Sequence, residues 1–159
     1  MKKKVILVLA ISMLATLTFA KSEATTKSVD IGARAGYSMD PDQLFFGAHI
    51  DFGKLVGPMR LVPNIEFGFG DHCTLMCFNG DLIYDFEGTP WGVGGELGII
   101  HSRLDLLGPS GDLTNTDIGL SVLCDYRLEM SNGKILFLEG KLGSSNSPDF
   151  KLTIGYNFF

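Results

Sequence analysis

Four short stretches carry the residue types from which a reactive site could be built. His72, Cys73 and Cys77 offer soft ligands at close spacing, but zinc takes four, and Cys-x3-Cys beside one histidine supplies three. That pattern reads as small side chains filling a strand, so no metal is expected. Nor do the cysteines form a disulfide framework. Cys73 and Cys77 would lie roughly 13 Å apart along an extended strand at ~3.3 Å per residue, beyond bonding reach, and Cys124 leaves an odd count. His101-Ser102 pairs an imidazole with a hydroxyl, yet consecutive strand residues point to opposite faces, which prevents a nucleophile-base dyad without a bulge. His49 and Asp51 share a face, but no serine stands near them. Gly92-x-Gly94-Gly95-x-x-Gly98 would suit a nucleotide phosphate only if a helix followed, and Ile99-Ile100 continue a strand instead. Neither a catalytic residue nor a cofactor is expected.

The remaining charges fall into a pattern of their own. Arg34, Asp51, Glu66, Glu96, Asp125, Arg127, Glu139, Lys141 and Lys151 all occupy one face of extended segments whose other face is aliphatic and aromatic. So many charges would be very costly in a dry protein core. They suit the interior of a barrel whose apolar face is solvated by lipid. The expected arrangement is a charge network inside and grease outside, the reverse of a soluble barrel.

Export signals make such a barrel sensible. Lys2, Lys3 and Lys4 precede an apolar run from Val5 to about Thr16, and Thr18-Phe19-Ala20 offers small residues for cleavage, so residues 1–20 read as a signal peptide. The run is shorter than the ~20 residues of a spanning helix and has no following lipoprotein cysteine. Residues 21–28 form a short lead, and 29–159 the single domain. Removing residues 1–20 takes away three lysines and no acids, moving the formal charge from −5 to −8. An acidic chain without a basic cluster excludes nucleic-acid binding.

Alternation places strands at 29–38, 44–53, 61–70, 74–87, 91–102, 117–129, 135–143 and 149–158. The last is the clearest, with Leu152, Ile154, Tyr156 and Phe158 opposing Lys151, Thr153, Gly155 and Asn157. Phe52, Tyr84, Phe86, Trp91, Tyr126, Tyr156 and Phe158 collect at the end of the termini, and Tyr37, Phe46, Phe69 and Phe150 at the far end, as two interfacial girdles. Short turns at Gly88-Thr89-Pro90 and Ser131-Asn132-Gly133 belong to the terminus end, while the longest connection, about 103–116, belongs to the other. A three-residue loop with Gly133 in the left-handed region sets Tyr126 opposite Leu138 and keeps Asp125, Arg127, Glu139 and Lys141 inside. It predicts diagonal contacts of Arg127 with Glu139 and Asp125 with Lys141.

The fold expected is all-β, an eight-stranded antiparallel up-and-down transmembrane β-barrel. With its Gly155-Tyr156-Asn157-Phe158-Phe159 ending, the chain resembles the small outer-membrane β-barrel domain family of the OmpA and OmpX type over its whole mature region. The family's pattern ends on its aromatic, whereas here Phe159 follows Phe158. The resemblance implies Sec export, escort by periplasmic chaperones, and insertion into outer-membrane lipid by the barrel assembly machinery, with Tyr156, Phe158 and Phe159 as the signal read. It implies no single activity. Eight strands leave room for side chains or one small ligand, so a general pore is not expected. The outer connections, Asp40-Pro41-Asp42-Gln43, 103–116 and Ser144-Ser145-Asn146-Ser147, are the candidate surface for an extracellular ligand. The readings set against this structural or interaction role are a lipid-modifying enzyme, a narrow solute passage and a soluble periplasmic ligand-binding barrel.

Overall fold

The computed structural model describes residues 29–70, 73–104 and 113–158. The signal peptide and lead expected over 1–28, and Phe159 of the assembly signal, lie outside them. Nine strands follow one another: β1 (Asp30–Met39), β2 (Gln43–Asp51), β3 (Lys54–Val56), β4 (Met59–Gly70), β5 (Cys73–Asp85), β6 (Trp91–Leu104), β7 (Leu113–Glu129), β8 (Ile135–Ser145) and β9 (Phe150–Asn157). Eight of them close a barrel. Neighbours in sequence pair antiparallel, β2 pairs with β4, and β1 meets β9 to complete the ring. Closure leaves no long unpaired edge among these eight, which a bilayer would not tolerate.

Two paths around the ring measure its stagger. From Ala33 the pairs run through Ala48, Ile65, Phe78 and Ile99 to Ile118 of β7. The other way they run through Tyr156 and Leu136 to Leu128. The circuit thus misses itself by the ten residues between positions 118 and 128. Ten steps of ~3.3 Å against eight inter-strand spacings of ~4.8 Å tilt the strands about 40°.

The two faces divide as the alternation predicts. Along β9, Lys151, Thr153, Gly155 and Asn157 are buried, while Leu152 and Ile154 are about half exposed. Val122 of β7 is 63% exposed and Leu44 of β2 69%, whereas Glu66 is 2% and Lys141 1% exposed. Aromatic pairs mark both rims. Trp91 and Tyr126 meet at 4.6 Å and Tyr156 and Phe158 at 5.4 Å at the terminus end, and Phe46 stacks on Phe69 at 5.6 Å at the other.

Three expectations about the connections need correction. Residues 54–60, which the strands expected at 44–53 and 61–70 leave as a plain connection, form a small ribbon in which β3 folds back on β4 across Gly57-Pro58, with Gly57 at a φ of 54° that its missing Cβ permits. The long far-end connection is shorter than 103–116, because Arg103 pairs with Thr114 and Leu104 with Leu113. Only 105–112 remains, outside the described residues. Alternation fades over Arg103 and Thr114–Thr116, where polar residues take the outward face as well. Finally, Gln43 belongs to β2, Ser144 and Ser145 to β8, and Ser147 with Pro148 is buried over the mouth of the lumen. The β7–β8 turn is as expected: Gly133 has a φ of 76°, Met130 N donates to Lys134 O at 2.8 Å, and Tyr126 faces Leu138.

Val122 is among the most exposed apolar residues of the outward face, so a soluble barrel would accept a charge there. In a membrane barrel, Val122→Arg is expected to cost roughly 2–4 kcal/mol near the bilayer midplane, read as a shift of the urea unfolding transition in lipid vesicles. An unshifted transition would place that face in water.

Candidate functional site

The lumen is the one place where the fold gathers polar side chains from every wall. Its centre holds Arg34, Lys141 and Lys151 among four carboxylates. Arg34 approaches Glu66 at 3.3 Å, Asp81 at 3.4 Å and Glu139 at 3.6 Å. Lys141 approaches Glu96 at 2.6 Å, Asp81 at 2.9 Å and Glu139 at 3.1 Å. Lys151 contacts Glu66 at 2.5 Å and Glu96 at 3.8 Å. These groups come from β1, β4, β5, β6, β8 and β9, and Ser121 of β7 adds a hydroxyl that donates to Glu96 at 3.2 Å. Asn64 donates to Asp81 at 3.0 Å, and Asn79 to Glu66 at 3.2 Å and to Asn64 Oδ1 at 2.9 Å.

A second cluster lies toward the termini. Arg60 reaches Asp51 at 3.1 Å, Asp85 at 3.2 Å and also Asp125, and Arg127 shares Asp51 at 3.2 Å. Between the clusters lies an apolar contact of Val62, Ile83 and Leu123. A further one of Leu75, Cys77 and Ile100 sits toward the far end. All three cysteines are free thiols: Cys77 buried, Cys73 partly so, and Cys124 on the outward face.

All nine charges read from the sequence therefore point inward, but they choose other partners than the diagonal ones expected. Arg127 pairs with Asp51, Asp125 with Arg60, and Lys141 with Asp81, Glu96 and Glu139. Side chains long enough to cross a narrow lumen meet the opposite wall, a choice that cross-strand reasoning does not contain. Arg60, Asp81 and Asp85 belong to the same constellation and escape the list of nine. Continuing the alternation of Asn64 and Glu66 back to position 60 would have found the arginine, which a presumed loop concealed.

Sequence reading assigns no face to Phe45 and Phe137, which are buried in the lumen on the parity of Asp51 and of Glu139. Each lies across from a glycine, Phe45 from Gly36 and Phe137 from Gly155. A Cβ on Gly155 would come within 2.1 Å of the Phe137 ring. The inward glycines thus seat rings, and the rings in turn carry cations: Arg34 lies 5.5 Å from the Phe137 centroid and Lys151 5.2 Å from that of Phe45. What space remains is small. One cavity of about 10 Å³ touches Arg34, His49, Arg60, Asp125 and Glu139, and another of about 20 Å³ lies near Gln43, Phe45, Cys77 and Lys151. Each has room for about one water.

The two described histidines, His49 and His101, have partners other than serine. His49 is buried and its Nε2 lies 2.7 Å from Asn157 Oδ1. His101 faces outward, its Nδ1 2.9 Å from Thr116 Oγ1, while Ser102 stands opposite Leu75 on the other side of the strand. Among the described residues no group of three or more His, Cys, Asp or Glu could hold a metal ion.

Lys141 contacts three carboxylates at once. Lys141→Met is expected to cost about 3–5 kcal/mol, as removal of one member of a buried ion cluster does, measured by denaturant unfolding in vesicles. Loss of under 1 kcal/mol would mean that the cluster is solvated. Gly155→Ala should cost about 1–3 kcal/mol through overpacking against Phe137, and adding Phe137→Leu should recover part of it in the same assay.

No family model and no curated protein matches the sequence. Solved structures do match the fold. The crystal structure of Neisserial surface protein A (NspA) superposes with a TM-score of 0.62 at 16% identity, covering 81% of this chain and 94% of that one. The N-terminal β-barrel domain of Pseudomonas aeruginosa OprF gives a TM-score of 0.50 at 16% identity, with 82% and 96% covered. With its charged interior, greasy exterior and this likeness, the chain has the fold of the small eight-stranded outer-membrane β-barrels.

Proposed function

We propose that this protein is an integral outer-membrane barrel with a structural or surface-interaction role and no catalysis. The observation that carries this reading is the filled lumen. Among the described residues, ion pairs, two inward rings and the buried Ser147-Pro148 segment fill the lumen, and the two cavities beside them are each about the size of a water, which favours a barrel without a wide passage or lumenal substrate site. The far end, where β7 runs on past β8 beside β5 and β6, is then the surface with something to offer a partner. On this reading the terminus end faces the periplasm. The chain passes periplasmic chaperones and is inserted by the barrel assembly machinery, for which Tyr156 and Phe158 lie in or beside β9.

A lipid-modifying enzyme is the alternative within the same fold, since fold alone does not decide chemistry. It would need an activated nucleophile beside a base that a third group orients. His101 has Thr116 as its hydroxyl partner, and among the described residues no carboxylate hydrogen-bonds that ring. A soluble ligand-binding barrel would need the opposite distribution of faces.

Purified protein reconstituted into planar bilayers is expected to give no step conductance above the lipid baseline, while its gel migration in detergent shifts on heating. Steady channels of defined size would replace the structural reading with a passage.

A further inference from the structure

Buried polar atoms without a hydrogen-bond partner are few among the described residues, and they are not scattered. Arg34 Nε, His49 Nδ1 and Asp125 Oδ1 belong to residues that line the same cavity, the one of about 10 Å³ beside Val62 and Ile83. Glu139 Oε1, in the same wall, also accepts no hydrogen bond, although it already has ion-pair contacts with Lys141 and Arg34. The larger cavity near Gln43 gathers one such atom, Gln43 Oε1. Chemistry rather than volume therefore singles out the smaller. Its three unpartnered groups come from β1, β2 and β7, which ring closure brings to one place.

The tautomer of the imidazole follows from its neighbours. Asn157 Nδ2 donates to Asp30 at 3.4 Å, which turns Asn157 Oδ1 toward His49 Nε2 at 2.7 Å. An amide oxygen only accepts, so Nε2 carries the proton of that bond, and in the neutral ring Nδ1 keeps a lone pair. The cavity wall thus offers one donor, the Arg34 Nε–H, and two acceptors, His49 Nδ1 and Asp125 Oδ1. We propose that a single ordered water molecule is bound there, accepting from Arg34 Nε and donating to His49 Nδ1 and Asp125 Oδ1. Three hydrogen bonds are usual for a buried water, which needs roughly 10–15 Å³. Charge excludes a small ion. A chloride would face the carboxylates of Asp125 and Glu139, and a sodium ion the guanidiniums of Arg34 and Arg60, all in the same wall. A neutral molecule that both accepts and donates suits every side. This water also joins what side chains leave apart. Arg34 belongs to the central ion cluster and Asp125 to the one toward the termini, with the apolar contact of Val62, Ile83 and Leu123 between them. Bridged in this way, the two clusters form one hydrogen-bonded network through the lumen.

The test is a high-resolution crystal structure of the folded barrel, with matched crystals exchanged into bromide and into rubidium salts, joined to NMR of the imidazoles in micelles. The expected result is a density peak within about 2.7–3.2 Å of Arg34 Nε, His49 Nδ1 and Asp125 Oδ1, with no anomalous signal from either salt. In the NMR spectra His49 Nδ1 should show the shift of an unprotonated ring nitrogen and Nε2 that of a protonated one, with a cross-peak from long-lived water to the ring. Absence of the peak, an anomalous bromide or rubidium signal at the site, or a ring protonated on Nδ1 alone would each overturn the proposal. His49→Phe keeps a ring against Phe137 and removes the acceptor, so the peak is expected to be lost, whereas Thr116→Val beside His101 leaves it unchanged. A peak retained at full occupancy in His49→Phe counts against the site. Should that variant fail to give the heat-shifted band, the measurements on the unmodified protein decide alone. None of these readouts requires insertion into lipid, so a barrel that fails to insert sinks the membrane reading and leaves this proposal to its own result.

Discussion

A strand sends only every second side chain to a given face, and in this chain that rule keeps ions off the outward belt between the rims, so that lipid is the solvent that suits it. The outward face is a belt of aliphatic residues with rings at both rims, and its inward counterpart carries cations and carboxylates in contact. Water outside would leave the belt unpaid by burial, and a dry interior without counter-charges would leave the ions uncompensated. Lipid outside and mutual pairing inside satisfy both demands, provided the sheet closes so that every interior N–H and C=O has a neighbour.

Closure and charge pairing depend on each other. The ten-residue stagger decides which inward residues from distant strands come to the same height, and so brings Lys141 of β8 to Asp81 of β5 and Lys151 of β9 to Glu66 of β4. A slip of one residue would turn each strand's charges toward the lipid. The network therefore acts as a register lock distributed around the wall. Glycines opposite Phe45 and Phe137 belong to the same device, because they let rings fill space that charges alone would leave open.

A packed interior shifts attention to the ends. The terminus end closes with short turns and the β3–β4 ribbon, and at the far end Ser147 and Pro148 cover the mouth. There the β6–β7 ribbon carries polar residues on its outward face as well.

Period-two alternation, which needs no knowledge of neighbours, made the eight strands, their faces, the girdles and the Met130–Lys134 turn readable along the chain. The inward orientation of Arg34, Glu66, Glu139 and Lys141 followed from the same parity. Pairing partners did not, because Arg127 with Asp51 and Asp125 with Arg60 span strands far apart in sequence, and only the closed ring with its stagger sets their separation. Likewise Arg60 was hidden where alternation lapsed into a loop, and Phe45 and Phe137 share the inward parity of Asp51 and of Glu139 but were given no face, because the inward side was read from its charges. Local chemistry along the chain fixed which side each residue takes, and tertiary closure decided whom it meets there, because distance across a lumen is a property of the whole circumference.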